Sequence, residues 1–303
     1  MTEKAIDITD LHKWYGSVHA LRGVDLSVKR GELLGFLGPN GAGKTTTIRC
    51  MLDQIRPQQG SIRVLGMNPQ SNPAAVQARV GYLPGELRLE GSLRVDSLLQ
   101  YLQELRGNQL DQMYLKMLIE RLELDTSRTI KNLSSGNKQK IGIVQALMHQ
   151  PELLILDEPT SGLDPLMQQV VYQLLRETQS QGATVFFSSH ILSEVEALAD
   201  RVAIIRKGVI VEESTPAQLT DMAMRRVVIR FLKPIDPDIL SAVNGVKVLS
   251  ADTDAQITVR VEGHMDELIK TLAQYPVKDI KTASHSLEEI FLKYYRDGKE
   301  EVE

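Results

Sequence analysis

The 303-residue chain contains no run of about 18 apolar residues, so no segment reads as a helix that crosses a membrane. It opens on Met1-Thr2-Glu3-Lys4 and passes straight into a strand pattern rather than into the apolar stretch of a secretory signal. It has one cysteine, Cys50, which excludes an intrachain disulfide, fits a reducing compartment and reads as a small core residue. A basic excess is also missing. The 35 Lys and Arg against 39 Asp and Glu give a net charge of −4 and a pI near 5.9, without the broad positive field of a nucleic-acid binder. These absences predict a soluble cytosolic protein with no nucleic-acid partner, whose role at a membrane comes through another chain.

What is present is organised around Gly38-Pro39-Asn40-Gly41-Ala42-Gly43-Lys44-Thr45-Thr46, which joins the apolar segment 33–37 to a helical pattern starting near Lys44. Glycines let the backbone curl so that successive N–H groups point at phosphate oxygens, and the following helix adds the positive end of its dipole. In the pattern G-x-x-x-x-G-K-[ST], met by Gly38, Gly43, Lys44 and Thr45, the lysine reaches the β- and γ-phosphates and the hydroxyl ligates Mg²⁺.

Around this loop the chain alternates strands and helices. Ile6, Ile8 and Leu11, then Val24, Leu26 and Val28, alternate with polar residues on either side of a turn at 14–16, an antiparallel lead-in. Ile48, Met51, Leu52 and Ile55 mark one face of the helix after the loop, ended by Pro57. Strands are expected at 61–65 and 80–83. From about 93 to 150 the period turns helical, as in Leu98, Leu99, Leu102 and Leu105, and this reads as a helical insert. The wholly apolar run 153–156 suits a central parallel strand covered on both faces, and the β-then-α units that follow predict a mostly parallel, doubly wound sheet. Past about residue 220 the order βαββαβα, closed by a helix at 287–294, resembles a ferredoxin-like sandwich with an added helix and a frayed tail at 300–303. Its 12 basic and 15 acidic residues over 221–303 argue against RNA binding and favour an accessory or dimer-supporting domain.

Asp157 and Glu158 close the apolar strand. A carboxylate at the end of a buried strand beside a phosphate loop is where Mg²⁺ is held; Asp157 suits the metal and Glu158 suits the attacking water.

Four stretches, 38–46, 132–139 (Asn132 to Gln139), 156–165 (Leu156-Asp157-Glu158-Pro159-Thr160-Ser161-Gly162-Leu163-Asp164-Pro165) and 188–190 (Ser188-Ser189-His190), look in their order like the successive motifs of an ATP-binding cassette (ABC) transporter ATPase. The resemblance covers about 4–220. It implies an α/β P-loop NTPase (RecA-like) core with the antiparallel lead-in and an inserted helical subdomain at about 86–150, within a nucleotide-binding domain of 1–220. The small α+β ferredoxin-like domain would then occupy 221–303. Its segment 286–291 is similar to extensions in the exporter branch that handles drugs, antibiotics and polysaccharides.

The resemblance further implies that two chains clamp two ATP molecules head to tail, each between one loop and the partner's Ser134-Ser135-Gly136. That segment precedes an apolar-periodic helix and so forms a second helix-N-terminus anion site. By the same likeness Tyr15 stacks on adenine, with Trp14 an alternative, His190 contacts the γ-phosphate, and Asp164 links the two sites. Two departures stand out. The family's Leu-Ser-Gly-Gly-Gln reads Leu133-Ser134-Ser135-Gly136-Asn137, and its Gln after strand 80–83 is replaced by Gly85 and Glu86, so either Glu86 substitutes or water does. The expected function is the ATP-hydrolysing subunit of an exporter, a homodimer at the cytoplasmic face of the membrane beneath separate permease chains. A soluble ABC ATPase that remodels nucleic acid, ribosomes or an assembly complex is the alternative, and an ATP-gated regulatory subunit a third.

Overall fold

The computed structural model describes residues 3–106, 110–222, 225–252, 255–261 and 264–283. The chain divides into two compact units, Met1–Pro216 and Ala217–Glu303.

In the first unit, β1 (Lys4–Tyr15), β2 (Val18–Lys29) and β4 (Gln59–Val64) form an antiparallel sheet in the order β2-β1-β4. A second, six-stranded sheet runs β5-β6-β7-β3-β8-β9, built from β3 (Leu33–Leu37), β5 (Val80–Leu83), β6 (Leu153–Asp157), β7 (Thr184–Ser189), β8 (Arg201–Arg206) and β9 (Val209–Ser214). All its pairings are parallel except β8 with β9. Central parallel strands are covered on both faces, which is why β3, β6 and β7 are buried at every position. The helix α1 (Lys44–Met51) packs on β2, β4 and β6, and its Ile48, Cys50 and Met51 join the apolar core shared with the antiparallel sheet. Cys50 is buried as expected, and burial pushes its thiol up to about 11.

That helix is shorter than its apolar period suggested. It stops at Met51, with Leu52 as its C-cap, because Asp53 turns to a left-handed φ of 52° well before Pro57. A helix that the sequence reading did not assign, α2 (Pro73–Arg79), buries only Val76, too little to write a period. Between β5 and β6 lie α3 (Val95–Leu105), α4 (Gln112–Arg121), a 3₁₀ turn at Ile130–Asn132 and α5 (Ser135–Leu147). Then α6 (Pro165–Ser180) and α7 (Leu192–Leu198) cover the sheet, and α8 (Pro216–Met222) straddles the division.

The second unit contains β10 (Arg225–Phe231), α9 (Asp238–Ser241), β11 (Val246–Asp252), β12 (Gln256–Val261), α10 (Asp266–Leu272) and β13 (Val277–Ala283). Its strands pair antiparallel in the order β11-β12-β10-β13. Val227, Ile229, Phe231, Val259, Leu240 and Leu268 form its own core. The helix expected at 287–294 and the tail at 300–303 lie outside the described residues.

Candidate functional site

In a parallel sheet the strand C-termini share one edge, and ligands sit where neighbouring strands leave a crevice there. Here β6, β7 and β3 are consecutive neighbours, in a register that pairs Asp157 with Ser188 and Leu37 with Ser189. Three loops distant in sequence are thereby delivered to one place. Gly38 N donates to Ser189 O at 3.1 Å, and Ala42 N donates to Pro39 O at 3.1 Å, closing the loop on itself. Gly43 takes φ 115° at the start of α1, whose first turn has no side-chain cap. A Cβ at Gly43 would lie 2.9 Å from Leu21 Cδ2 and 3.2 Å from Ala20 O, so the turn is closed to any larger residue.

Lys44 is 5% exposed and donates from Nζ to Gly38 O at 2.7 Å and to Pro39 O at 3.3 Å, with Glu158 Oε1 3.7 Å away. Burial lowers its pKa, against the opposing pull of Glu158 and Asp157. Thr45 Oγ1 donates to Asp157 Oδ2 at 2.7 Å, and Ser188 Oγ donates to the other carboxylate oxygen. Two hydroxyls from two elements therefore hold Asp157 against the loop. Its carboxylate and the Thr45 hydroxyl are hard oxygen donors side by side, which suits Mg²⁺.

Glu158 follows with a left-handed φ of 53°. Its N–H lies 3.1 Å from Ser188 Oγ and 3.2 Å from Ser188 O, and its carbonyl accepts from Gln139 Nε2 at 3.0 Å. His190 Nδ1 lies 3.1 Å from Glu158 Oε1. A carboxylate accepts only, so Nδ1 carries the hydrogen and Nε2 faces away from this bond. Beneath them Glu194, 7% exposed, accepts from Thr160 Oγ1 and, at 2.6 Å, from Ser189 Oγ.

The structure thus assembles Lys44, Thr45, Asp157, Glu158 and His190. No hydrogen bond or ion pair among the described residues joins Tyr15, Ser134 or Asp164 to that group. Asp164 caps α6, accepting from the N–H groups of Leu166 and Met167, and Ser134 caps α5, accepting from Asn137 N at 3.3 Å. Ser135 and Gly136 rest on Gly162, whose carbonyl would lie 2.5 Å from a Cβ at 136. Pro39, Asn40, Gly41, Ala42 and Thr46 complete the loop and the first turn. Trp14 stacks on His19 at 4.0 Å and on His12 at 5.5 Å between centroids. Tyr15 is 45% exposed, with Lys13 Nζ 5.4 Å from its ring centre. Gly85 sits against Asp157, where a Cβ at 85 would lie 3.0 Å from Oδ2, while Glu86 bonds Arg88 at 3.1 Å. Gln139, Ser188 and Glu194 were not singled out as site residues. The first two sit inside the recognised motifs, and the signal for Glu194 is a carboxylate on the buried side of a helix that also buries Leu192, Val195 and Leu198.

The family model described as ABC transporter matches residues 21–161. A bacitracin transport ATP-binding protein of Bacillus licheniformis is 40% identical over 218 residues, 69% of this chain and 69% of its own. A daunorubicin resistance ATP-binding protein of Streptomyces coeruleorubidus is 32% identical over 314 residues, 99% of this chain and 98% of its own. The chain belongs to the ABC transporter family. It is an ABC ATPase subunit, built on the P-loop NTPase fold. A solved structure described as the ATP-binding subunit of an ABC transporter is 28% identical with a TM-score of 0.66, covering 72% of this chain and 92% of that one. A dimeric ATP-binding cassette bound to ADP and Pi shares the fold at a TM-score of 0.63 and 19% identity, covering 70% of this chain and 98% of that one.

Proposed function

We propose that this ABC ATPase powers export of drugs, antibiotics or other amphipathic molecules through a separate membrane permease, two copies of it closing head to tail on two ATP molecules. Export is supported by the relatives named for bacitracin transport and daunorubicin resistance, the second of which matches along almost the whole chain, C-terminal unit included. Among the described residues no helix is long and apolar enough to cross a membrane, which fits attachment through a permease at the cytoplasmic face. Nucleic acid has no place in this reading. The nucleotide-binding domain is taken as 1–220 with its helical subdomain at about 86–150, and 221–303 as an accessory ferredoxin-like domain.

The observation that carries the dimer is a division. Lys44, Thr45, Asp157, Glu158 and His190 converge on one sheet edge, whereas the second helix-N-terminus site, Ser134 to Gly136, has no recorded bond to them. One chain then holds two halves of different sites. Lys44 exchanges the carbonyls of Gly38 and Pro39 for β- and γ-phosphate oxygens, while the loop N–H groups from 38 to 46 cradle the rest and Tyr15 stacks on adenine. Thr45 and Asp157 would hold Mg²⁺, which when bound would neutralise phosphate charge. Glu158 orients the attacking water and accepts its proton, His190 holds Glu158 through Nδ1 and turns Nε2 toward the γ-phosphate, and Asp164 lies at the contact between sites. The partner's Ser134, Ser135 and Gly136 close the far wall.

The test is steady-state ATP turnover of the purified chain and of Glu158→Gln. The variant is expected to lose about 10²–10⁴ of kcat while still binding ATP and dimerising on it by light scattering. Unchanged turnover in the variant would overturn the assignment of Glu158, and a variant that stays monomeric with saturating ATP would overturn the sandwich.

A further inference from the structure

Glu158 is pinned from both sides. A non-glycine residue at φ 53° persists only where its surroundings over-determine it. Ser188 supplies two acceptors to its N–H, at 3.1 Å and 3.2 Å, from the neighbouring strand. The carbonyl side is held differently: Gln139, 8% exposed, donates from Nε2 to Glu158 O at 3.0 Å and to Pro159 O at 3.1 Å. A buried amide whose two donors are both used is a costly group to misplace, since each N–H left without an acceptor would carry its full desolvation penalty.

The helix that carries Gln139 gives these bonds their meaning. Gln139 lies four residues after Ser135, on the same face of α5. Ser135 Oγ would be 3.3 Å from a Cβ at Gly162, and a Cβ at Gly136 would lie 2.5 Å from Gly162 O. The start of α5 is thereby fitted to the segment 158–162 at two places, one steric and one hydrogen-bonded. A rigid-body shift of α5 would break or strain these contacts to 158–162.

We propose that Gln139 is a positioning residue for Glu158, and that through it the anion-binding end of α5 sets the catalytic carboxylate of its own chain. This rests on the two-chain sandwich described above. Under that arrangement Ser134 to Gly136 close on the partner's nucleotide, while Glu158 serves the nucleotide on its own loop. Gln139 therefore connects two different ATP molecules within one chain, and occupancy of one site is felt as carboxylate alignment in the other.

Gln139→Met keeps the side-chain length and removes both donors; Gln139→Glu keeps the shape and reverses the polarity toward the two carbonyls. The full-length variants are compared with wild type for kcat, KM and Hill coefficient in ATP, with ATP binding measured separately by fluorescence of a nucleotide analogue. Both are expected to lose about tenfold or more of kcat, the effect of roughly two buried hydrogen bonds. Analogue binding should stay within about twofold, and the Hill coefficient should fall toward 1. Wild-type kcat and cooperativity in a folded Gln139→Met would overturn the proposal, as would a loss of kcat matched by an equal loss of analogue binding. If Gln139→Met fails to fold, the same outcomes are read from Gln139→Glu. A second arm uses Glu158→Gln with and without Gln139→Met and saturating ATP. Failure of Glu158→Gln itself to dimerise would remove the sandwich, whereas dimers in both chains with unaltered kinetics in Gln139→Met would remove only the role of Gln139.

Discussion

The helices α1 and α5 both begin at turns of small residues, and under the proposed function both present an N-terminus to an anion, yet they begin differently. α1 starts on Gly43, at φ 115° and without a side-chain cap; α5 starts on Ser134, whose Oγ accepts from Asn137 N at 3.3 Å and Asn137 Nδ2 at 3.1 Å. The first N–H groups of any helix need acceptors from outside it, whether side chain, water or ligand. α1 has no side-chain acceptor at its start, and under the proposed function phosphate supplies one. α5 carries its own acceptor, so it is complete alone and engages phosphate only by rearranging a bond it already has. Under that reading binding belongs to α1 and closure to α5.

Lys44 should break the comparison most severely on the α1 side. Lys44→Met removes a charged donor from the phosphates, an effect of about 10- to 100-fold in ATP affinity, and cuts ATP-induced thermal stabilisation to match. Without nucleotide the sign reverses. Burial lowers the folded-state pKa of Lys44 below its ordinary 10.5, so the unfolded chain binds that proton more tightly and stability rises with pH between the two values. Denaturant titrations of the nucleotide-free chain from pH 8 toward 10.5 should therefore show an increment in wild type that Lys44→Met lacks. Parallel curves for the two chains would mean that Lys44 is not held at an energetic disadvantage awaiting phosphate.

How much of this was legible follows from what each residue needs around it. The glycine-rich loop was legible because local backbone geometry sets its glycines, as Gly43 at φ 115° shows. Strand 153–156 was legible because burial on both faces leaves only apolar choices. Gln139 and Glu194 were not, since Gln139 bonds Glu158 19 positions on and Glu194 bonds Thr160 34 positions back as well as nearby Ser189, and the distant partners come close only in the fold. The end of α1 was misread because Ile55 still follows the helical period, whereas the break is made by the backbone of Asp53. That Gly85 sits against Asp157 was equally hidden, because only the turn after β5 brings the two together.

Two glycine substitutions should come next in size and separate conformation from space. Gly43→Ala places a side chain at φ 115° and against Leu21, costing about 1–3 kcal/mol in stability and weakening ATP binding to the isolated chain. Gly136→Ala lies within α5, where alanine gains up to about 1 kcal/mol in helix propensity, but its Cβ meets Gly162 O at 2.5 Å. That backbone overlap should cost more than the propensity returns, about 1–3 kcal/mol in stability, with ATP binding retained while ATP-driven dimerisation fails. Calorimetric melting plus light scattering distinguishes the two, and identical defects in both variants would erase the division between binding and closure.

The smallest effect isolates the double duty of one hydroxyl. Ser134→Ala removes the N-cap acceptor of α5 and should cost about 1 kcal/mol, whereas Ser134→Gly should cost only a few tenths. For a domain of this size 1 kcal/mol is about 2–4 °C in Tm. Ser134→Asp keeps an acceptor at the N-cap, and its negative charge favours the helix dipole, so the nucleotide-free chain should melt at or above the wild-type temperature. The same charge opposes a γ-phosphate, so ATP-driven dimerisation and turnover should be lost more completely than in Ser134→Ala. A stabilised chain that no longer closes would establish that the cap and the phosphate compete for one position. If Ser134→Asp dimerises on ATP as wild type does, the start of α5 is a structural cap alone and phosphate is closed off by other residues.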